Sequence, residues 1–127
     1  MARALKRLGL EVDAIVSSPL VRARRTAEIV ADVLDARSRL RLTAALAPEG
    51  DPAVLFRDLR RRYPAAKGIL LVGHEPYLSS LISTLLVGEL HVPMTLKKGG
   101  LCKLAIPHPA YGRCATLEWL VAPKLLR

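Results

Sequence analysis

Gly68-Ile69-Leu70-Leu71-Val72-Gly73-His74-Glu75-Pro76 is the stretch from which the fold can be read. Its four consecutive apolar residues are too few for a helix, and their branched side chains suit a strand buried in a parallel sheet. The run stops at Gly73-His74, and Pro76 stands where a helix accepts proline in its first turn. Leu78, Leu81, Ile82, Leu85 and Leu86 then recur at helical spacing. The pattern predicts strand, turn and helix, with His74 at the carboxyl end of a central strand, facing a helix N-terminus. In open α/β sheets that crevice binds ligands, and helix N-termini favour anions. A histidine that merely caps the turn is the plainer alternative.

Toward the N-terminus, residues 2–8 read as the end of a helix, with Leu5 and Leu8 on one face and Gly9 placed to terminate it. Val12-Asp13-Ala14-Ile15-Val16-Ser17 reads as a short buried strand. Ser18 is then the expected N-cap of a helix running to about Asp35, with Pro19 at its first position. On a helical wheel, Arg24, Arg25, Glu28, Asp32 and Asp35 share a solvated arc. Leu20, Ala23, Thr26, Ala27, Ile29, Val30, Val33 and Leu34 fill the wide opposite arc. Arg22 is the one charge on that apolar arc, one turn into the helix and near the carboxyl edge of the preceding strand. A buried guanidinium without an anion is costly, so Arg22 calls for a carboxylate partner or a bound oxyanion. A side chain snorkelling at the helix rim is the alternative.

Between these segments, Leu40-Arg41-Leu42 is a possible short strand. Asp51-Pro52 starts a helix with Val54, Leu55 and Leu59 as its buried stripe, ending near Tyr63-Pro64. Beyond Gly88, His91 and Pro93 fall in a loop, and Lys97-Lys98-Gly99-Gly100 forms a turn. Leu101–Ile106 and Ala115–Val121 read as strands pairing in a hairpin at the sheet edge. Cys102 and Cys114 are expected to pack there, and His91 and His108 to lie in surface loops.

The 127 residues suit one domain with a real core, and 51% of them are apolar. No apolar run is long enough to cross a membrane, and residues 1–7 lack the apolar centre of a signal peptide. Two cysteines without a metal-ligand pattern fit a reducing, cytoplasmic setting. The net charge of +9 points to an anionic partner, either nucleic acid or a phosphorylated substrate. With aromatics at only 4%, little is available for stacking on bases, which counts against nucleic acid. The sequence has no glycine-rich phosphate loop, no zinc-type ligand spacing and no Gly-x-Ser-x-Gly elbow. What remains is a strand-end histidine and a helix-start arginine. An arginine fork and an imidazole together suit a phosphoryl group.

Ser17-Ser18-Pro19-Leu20-Val21-Arg22-Ala23-Arg24-Arg25-Thr26-Ala27-Glu28 resembles the second motif of the histidine phosphatase superfamily, and Val72-Gly73-His74-Glu75-Pro76 resembles its late histidine motif. Leu46–Pro52 and Leu96–Leu101 are similar to its SixA-like branch, the phosphohistidine phosphatases. The resemblance implies a phosphoglycerate mutase-like, three-layer α/β/α sandwich, with a mostly parallel sheet and an antiparallel edge hairpin. It also implies two histidines and two arginines around one phosphoryl group, Arg22 matching the second arginine and His74 the second histidine. No metal or organic cofactor is implied. The first pair of the family pattern belongs to an Arg-His-Gly motif ending the first strand, and its histidine is the nucleophile. Arg-His-Gly is absent from this sequence, and no strand precedes residues 2–8.

The expectation is therefore a single, N-terminally incomplete histidine phosphatase-like domain over residues 1–127: a fragment, the product of a misassigned start, or a natural remnant. Its substrate would be a phosphorylated protein or a small phosphorylated metabolite, and this chain would be inactive for want of the nucleophile. The alternative is a non-catalytic phospholigand- or partner-binding domain, and a basic RNA-associated domain is a weaker third. Glu49 is in a loop that supplies a general acid in ester-cleaving branches. A phosphohistidine imidazole leaves readily without one, so Glu49 reads more simply as a solvated loop residue.

Overall fold

The computed structural model describes residues 2–89 and 92–126, so His91 lies outside the described residues. The chain divides into two compact units, one from Ala2 to His74 and one from Glu75 onward.

The first unit is built on three parallel strands, β1 (Ala14–Ser17), β2 (Leu40–Leu42) and β3 (Ile69–Val72), in the order β2-β1-β3. Ser17 stands opposite Leu42 on one side and Val72 on the other, so the carboxyl ends of all three strands are level. Helix α1 spans Ala2–Arg7, α2 Val21–Val33 and α3 Pro52–Arg62. Gly9 ends the first turn of chain with a positive φ of 64°, which glycine adopts without strain. Asp51 caps α3, its carboxylate accepting from the Ala53 N–H at 2.9 Å.

Successive connections run in opposite directions across the sheet: from β1 through α2 to β2, then from β2 through α3 past β1 to β3 on its far side. Right-handed crossovers of this kind carry their helices to opposite faces of the sheet. The core follows from this. Ala14, Ile15, Val16 and Ser17 of β1 are all buried, together with Ala23, Ala27, Val30 and Ala31 of α2 and Leu55 and Phe56 of α3.

Several sequence expectations change here. Strand β1, not β3, is the centre of the parallel sheet. Among the described residues β3 pairs on one side only, and Ile69 to Val72 are all half-buried. Helix α2 begins at Val21 with Leu20 in the cap position, and Ser18 precedes it as a turn residue whose hydroxyl accepts from the Leu20 N–H at 3.2 Å. Its buried stripe is narrower than the wheel suggests, since Leu20 and Ile29 are exposed. Leu8 is likewise exposed, leaving Ala2, Ala4 and Leu5 as the buried face of α1.

The second unit holds α4 (Tyr77–Val87) and the antiparallel pair β4 (Leu101–Ala105) and β5 (Thr116–Val121). The hairpin forms as expected, and the two strands hydrogen-bond as a two-stranded sheet of their own. Leu81, Ile82 and Leu85 are buried, and the helix ends at Gly88 with a left-handed φ of 82°. The Leu85 carbonyl accepts from the N–H groups of Cys114 and Ala115, each at 2.9 Å, tying α4 to the entry of β5. Cys102 and Cys114 are half-buried free thiols, and burial pushes the Cys102 thiol upward. His108 is exposed in the connection between β4 and β5.

Candidate phosphoryl-binding site

A doubly wound sheet has one place where consecutive crossovers part company, and ligands bind outside the carboxyl ends of the strands there. In this sheet that place is between β1 and β3. Ser18 follows the end of β1, and His74 follows the end of β3 by two residues. The backbone holds these two ends together, because the Ser18 N–H donates to the Val72 carbonyl at 2.9 Å. The side chains meet as well: His74 Nε2 is 2.8 Å from Ser18 Oγ. Ser18 is buried and His74 half-buried, so the imidazole is anchored on a buried hydroxyl.

The opposite ends of the same strands are clamped separately. Asp13, at the entry to β1, accepts from the N–H groups of Lys67 and Gly68 at 2.6 and 3.1 Å. Those two backbone bonds hold its carboxyl below the usual carboxylate range, with Arg39 and Lys67 adding to the effect. The Asp13 N–H in turn donates to the Gly68 carbonyl at 2.8 Å. With both ends fixed, the relative position of Ser18 and His74 is a property of the sheet rather than of a loop.

Arg22 is the second residue of α2, four residues beyond Ser18. It is exposed, so the sequence argument from a buried charge does not apply to it. The wheel assigned it to the apolar arc because that arc was drawn too wide. Exposed, and without an ion pair among the described residues, its guanidinium is available to a ligand. The first turn of α2 also brings unpaired backbone N–H groups and the positive end of the helix dipole. Glu49 is exposed, in the connection ahead of α3.

The cleft of about 340 Å³ between β2 and α3 is a different feature. It is lined by Leu40, Leu42, Leu55, Leu59, Arg62 and Tyr63 among others, and Ser18, Arg22 and His74 are not in its lining. Among the described residues no group of three or more His, Cys, Asp or Glu side chains is arranged to hold a metal ion. No helix there is long and apolar enough to cross a membrane.

Sequence reasoning singled out His74 and Arg22 as candidates and gave Ser18 only the role of a helix cap. Its pairing with His74 depends on β1 and β3 being neighbours with level ends, which no local pattern encodes.

Comparison with known proteins bears on the family and the fold. The family model of the histidine phosphatase superfamily (branch 1) matches residues 1–47. An uncharacterised protein of Picosynechococcus sp. is 36% identical over 106 residues, covering 82% of this chain. The chain spans 63% of that relative's length. The phosphohistidine phosphatase SixA of Escherichia coli is 26% identical over 124 residues, 97% of this chain and 74% of SixA. A solved structure of the protein histidine phosphatase SixA, complexed with tungstate, superposes with a TM-score of 0.80 at 25% identity, covering 99% of this chain and 78% of that one. The fold is the phosphoglycerate mutase-like α/β fold, and the family model, the SixA relative and the SixA structure together support the histidine phosphatase superfamily, in its SixA-like branch.

Proposed function

We propose that Arg22 and His74 hold the oxygens of one phosphoryl group, and that the domain serves phosphohistidine hydrolysis on a phosphorylated protein. The observation that carries this reading is the His74–Ser18 contact at 2.8 Å, at the switch point from which α2 and Arg22 rise. An arginine fork binds two oxygens at once, and an imidazole N–H reaches a third. In an in-line displacement these donors stabilise charge that grows on the equatorial oxygens. A small phosphorylated metabolite satisfies the same two donors, so the substrate class is tested rather than assumed.

The covalent route through a phosphohistidine intermediate needs a nucleophilic histidine. The 127 residues contain three histidines and no Arg-His-Gly. His74 holds oxygens in this scheme, and His108 is in the exposed connection of the second unit. On this reading Arg22 and His74 supply the oxyanion-holding half of the site, and the Arg-His-Gly nucleophile of the family pattern is not among these 127 residues. A second reading is that the domain binds a phospholigand or partner without turning it over.

Two measurements separate the readings. Tungstate or inorganic phosphate titrated into the chain should bind, and Arg22→Ala and His74→Ala should each weaken binding by about tenfold, the worth of one charge-assisted hydrogen bond. Phosphohistidine hydrolysis should be absent from the 127-residue chain and appear when a strand ending in Arg-His-Gly is added. Binding without turnover in the extended form favours the second reading. Turnover by the short chain that survives His74→Ala overturns the roles given to His74 and to the added strand.

A further inference from the structure

Ser18 does more than start a helix. Its side chain is fully buried (0% exposed), and its hydroxyl oxygen already accepts one hydrogen bond, from the Leu20 N–H at 3.2 Å. The residue is fixed from several directions. Its N–H donates to Val72, its carbonyl accepts from the Ser17 hydroxyl at 2.9 Å, and Ser17 is itself bonded to Thr43 N–H through its carbonyl. The hydroxyl therefore has little freedom to relocate.

A serine hydroxyl has one proton to give, and when buried that proton needs an acceptor. Among the described residues, the atom in reach of Ser18 Oγ able to take it is His74 Nε2, at 2.8 Å. In the other arrangement, with Nε2–H donating to Oγ, the hydroxyl proton would be left without a partner in a buried position. The satisfied arrangement makes Nε2 the acceptor and leaves the proton of the neutral ring on Nδ1.

We infer that Ser18 is a positioning residue that fixes both the ring plane and the tautomer of His74, so that neutral His74 offers Nδ1–H, and not Nε2–H, to the phosphoryl oxygen. A neutral ring then donates to the oxyanion without first having to take up a proton. If the ring does become protonated beside an anion, Nε2–H turns to Ser18 Oγ and Nδ1–H keeps the same ligand-facing role. This rests on the phosphoryl-binding reading for its purpose, but the tautomer itself can be measured with no ligand present.

The experiment is two-bond ¹H–¹⁵N correlation of the histidine rings in the 127-residue chain, at a pH where the rings are neutral. The His74 signals are assigned by their loss in His74→Gln. The expected result is a pyridine-type Nε2 and a pyrrole-type Nδ1. Ser18→Ala should move His74 to the other tautomer or to a mixture, and weaken tungstate binding by about tenfold. Ser17→Ala also removes a buried hydroxyl that bonds the same turn, but one that does not touch His74, and should leave the tautomer unchanged. A pyrrole-type Nε2 in the unsubstituted chain overturns the inference without need of any variant, as does an unchanged His74 in folded Ser18→Ala. The expected tautomer combined with no tungstate binding would refute the phosphoryl reading and leave the tautomer assignment standing.

Discussion

Replacing Gly68 with alanine tests whether the strand clamp sets the site. A Cβ built at Gly68 falls 1.8 Å from the Glu11 carbonyl oxygen and 2.9 Å from its carbon, both backbone atoms. No rotamer relieves that contact, so the chain entering β3 must retreat from the chain entering β1 by more than an ångström. The Gly68 carbonyl then loses the Asp13 N–H now at 2.8 Å, and its own N–H loses the Asp13 carboxylate at 3.1 Å. A forced overlap of this size costs about 1–3 kcal/mol and the lost neutral backbone bond about 1 kcal/mol, so the expected loss is about 3 kcal/mol. Against a typical domain stability of roughly 5–15 kcal/mol this is large. Urea unfolding followed by circular dichroism should show the midpoint falling by about 2 M, for a slope near 1.5 kcal/mol/M. Asp13→Ala removes both exposed carboxylate bonds without the clash, and so separates the loss of those bonds from the effect of the close approach. A loss under about 1 kcal/mol for Gly68→Ala, at unchanged slope, would refute the argument that this close approach fixes the strands.

Acid should act on the same clamp. Asp13 has a folded-state pKa below its ordinary value of 3.8, chiefly because it accepts from Lys67 and Gly68 N–H. A depressed carboxyl stabilises the fold above its unfolded pKa, and that contribution is lost as pH falls through the folded one. Stability of the unsubstituted chain should therefore fall more steeply than that of Asp13→Ala as pH drops below about 4, in urea melts taken across that range. A parallel decline in the two proteins would remove Asp13 from the account. The +9 charge should steer anions without making a nucleic-acid site, given 4% aromatic residues. Filter binding at physiological salt is the check, and salt-resistant, sub-micromolar affinity for RNA or DNA would count against it.

What could be read from the sequence is what depends on neighbours along the chain. Asp51-Pro52 announces α3, because a side-chain cap and a proline at the first turn are local chemistry, and the cap forms at 2.9 Å. The end of β3 at Gly73-His74 and the end of β1 at Ser17-Ser18 were legible for the same reason. Several misreadings concern what covers an element. Ile29 and Leu8 are apolar and in phase with buried neighbours, yet exposed, since periodicity gives direction but not the width of the covering layer. Arg22 was misplaced by that same error: it is exposed, so the buried-charge argument that singled it out does not hold.

The reading of β3 as a central strand failed more instructively. Ile-Leu-Leu-Val is the composition of a strand covered on both faces and paired on both edges, yet its four residues are half-buried and, among the described residues, pair only with β1. Strand β1 has no more apolar a sequence, Ala-Ile-Val-Ser, and is buried throughout. The difference lies in sheet order alone. Order also explains why the site could be half-read: Ser18 and His74 are 56 residues apart and meet only because β1 and β3 adjoin with level ends. The two side chains expected to hold oxygens were each marked by a local motif. The hydroxyl that orients one of them was not, because its role arises from the pairing of strands. In such a site the ligand-contacting residues are readable one at a time, while the residue that orients them becomes readable only once the sheet is known.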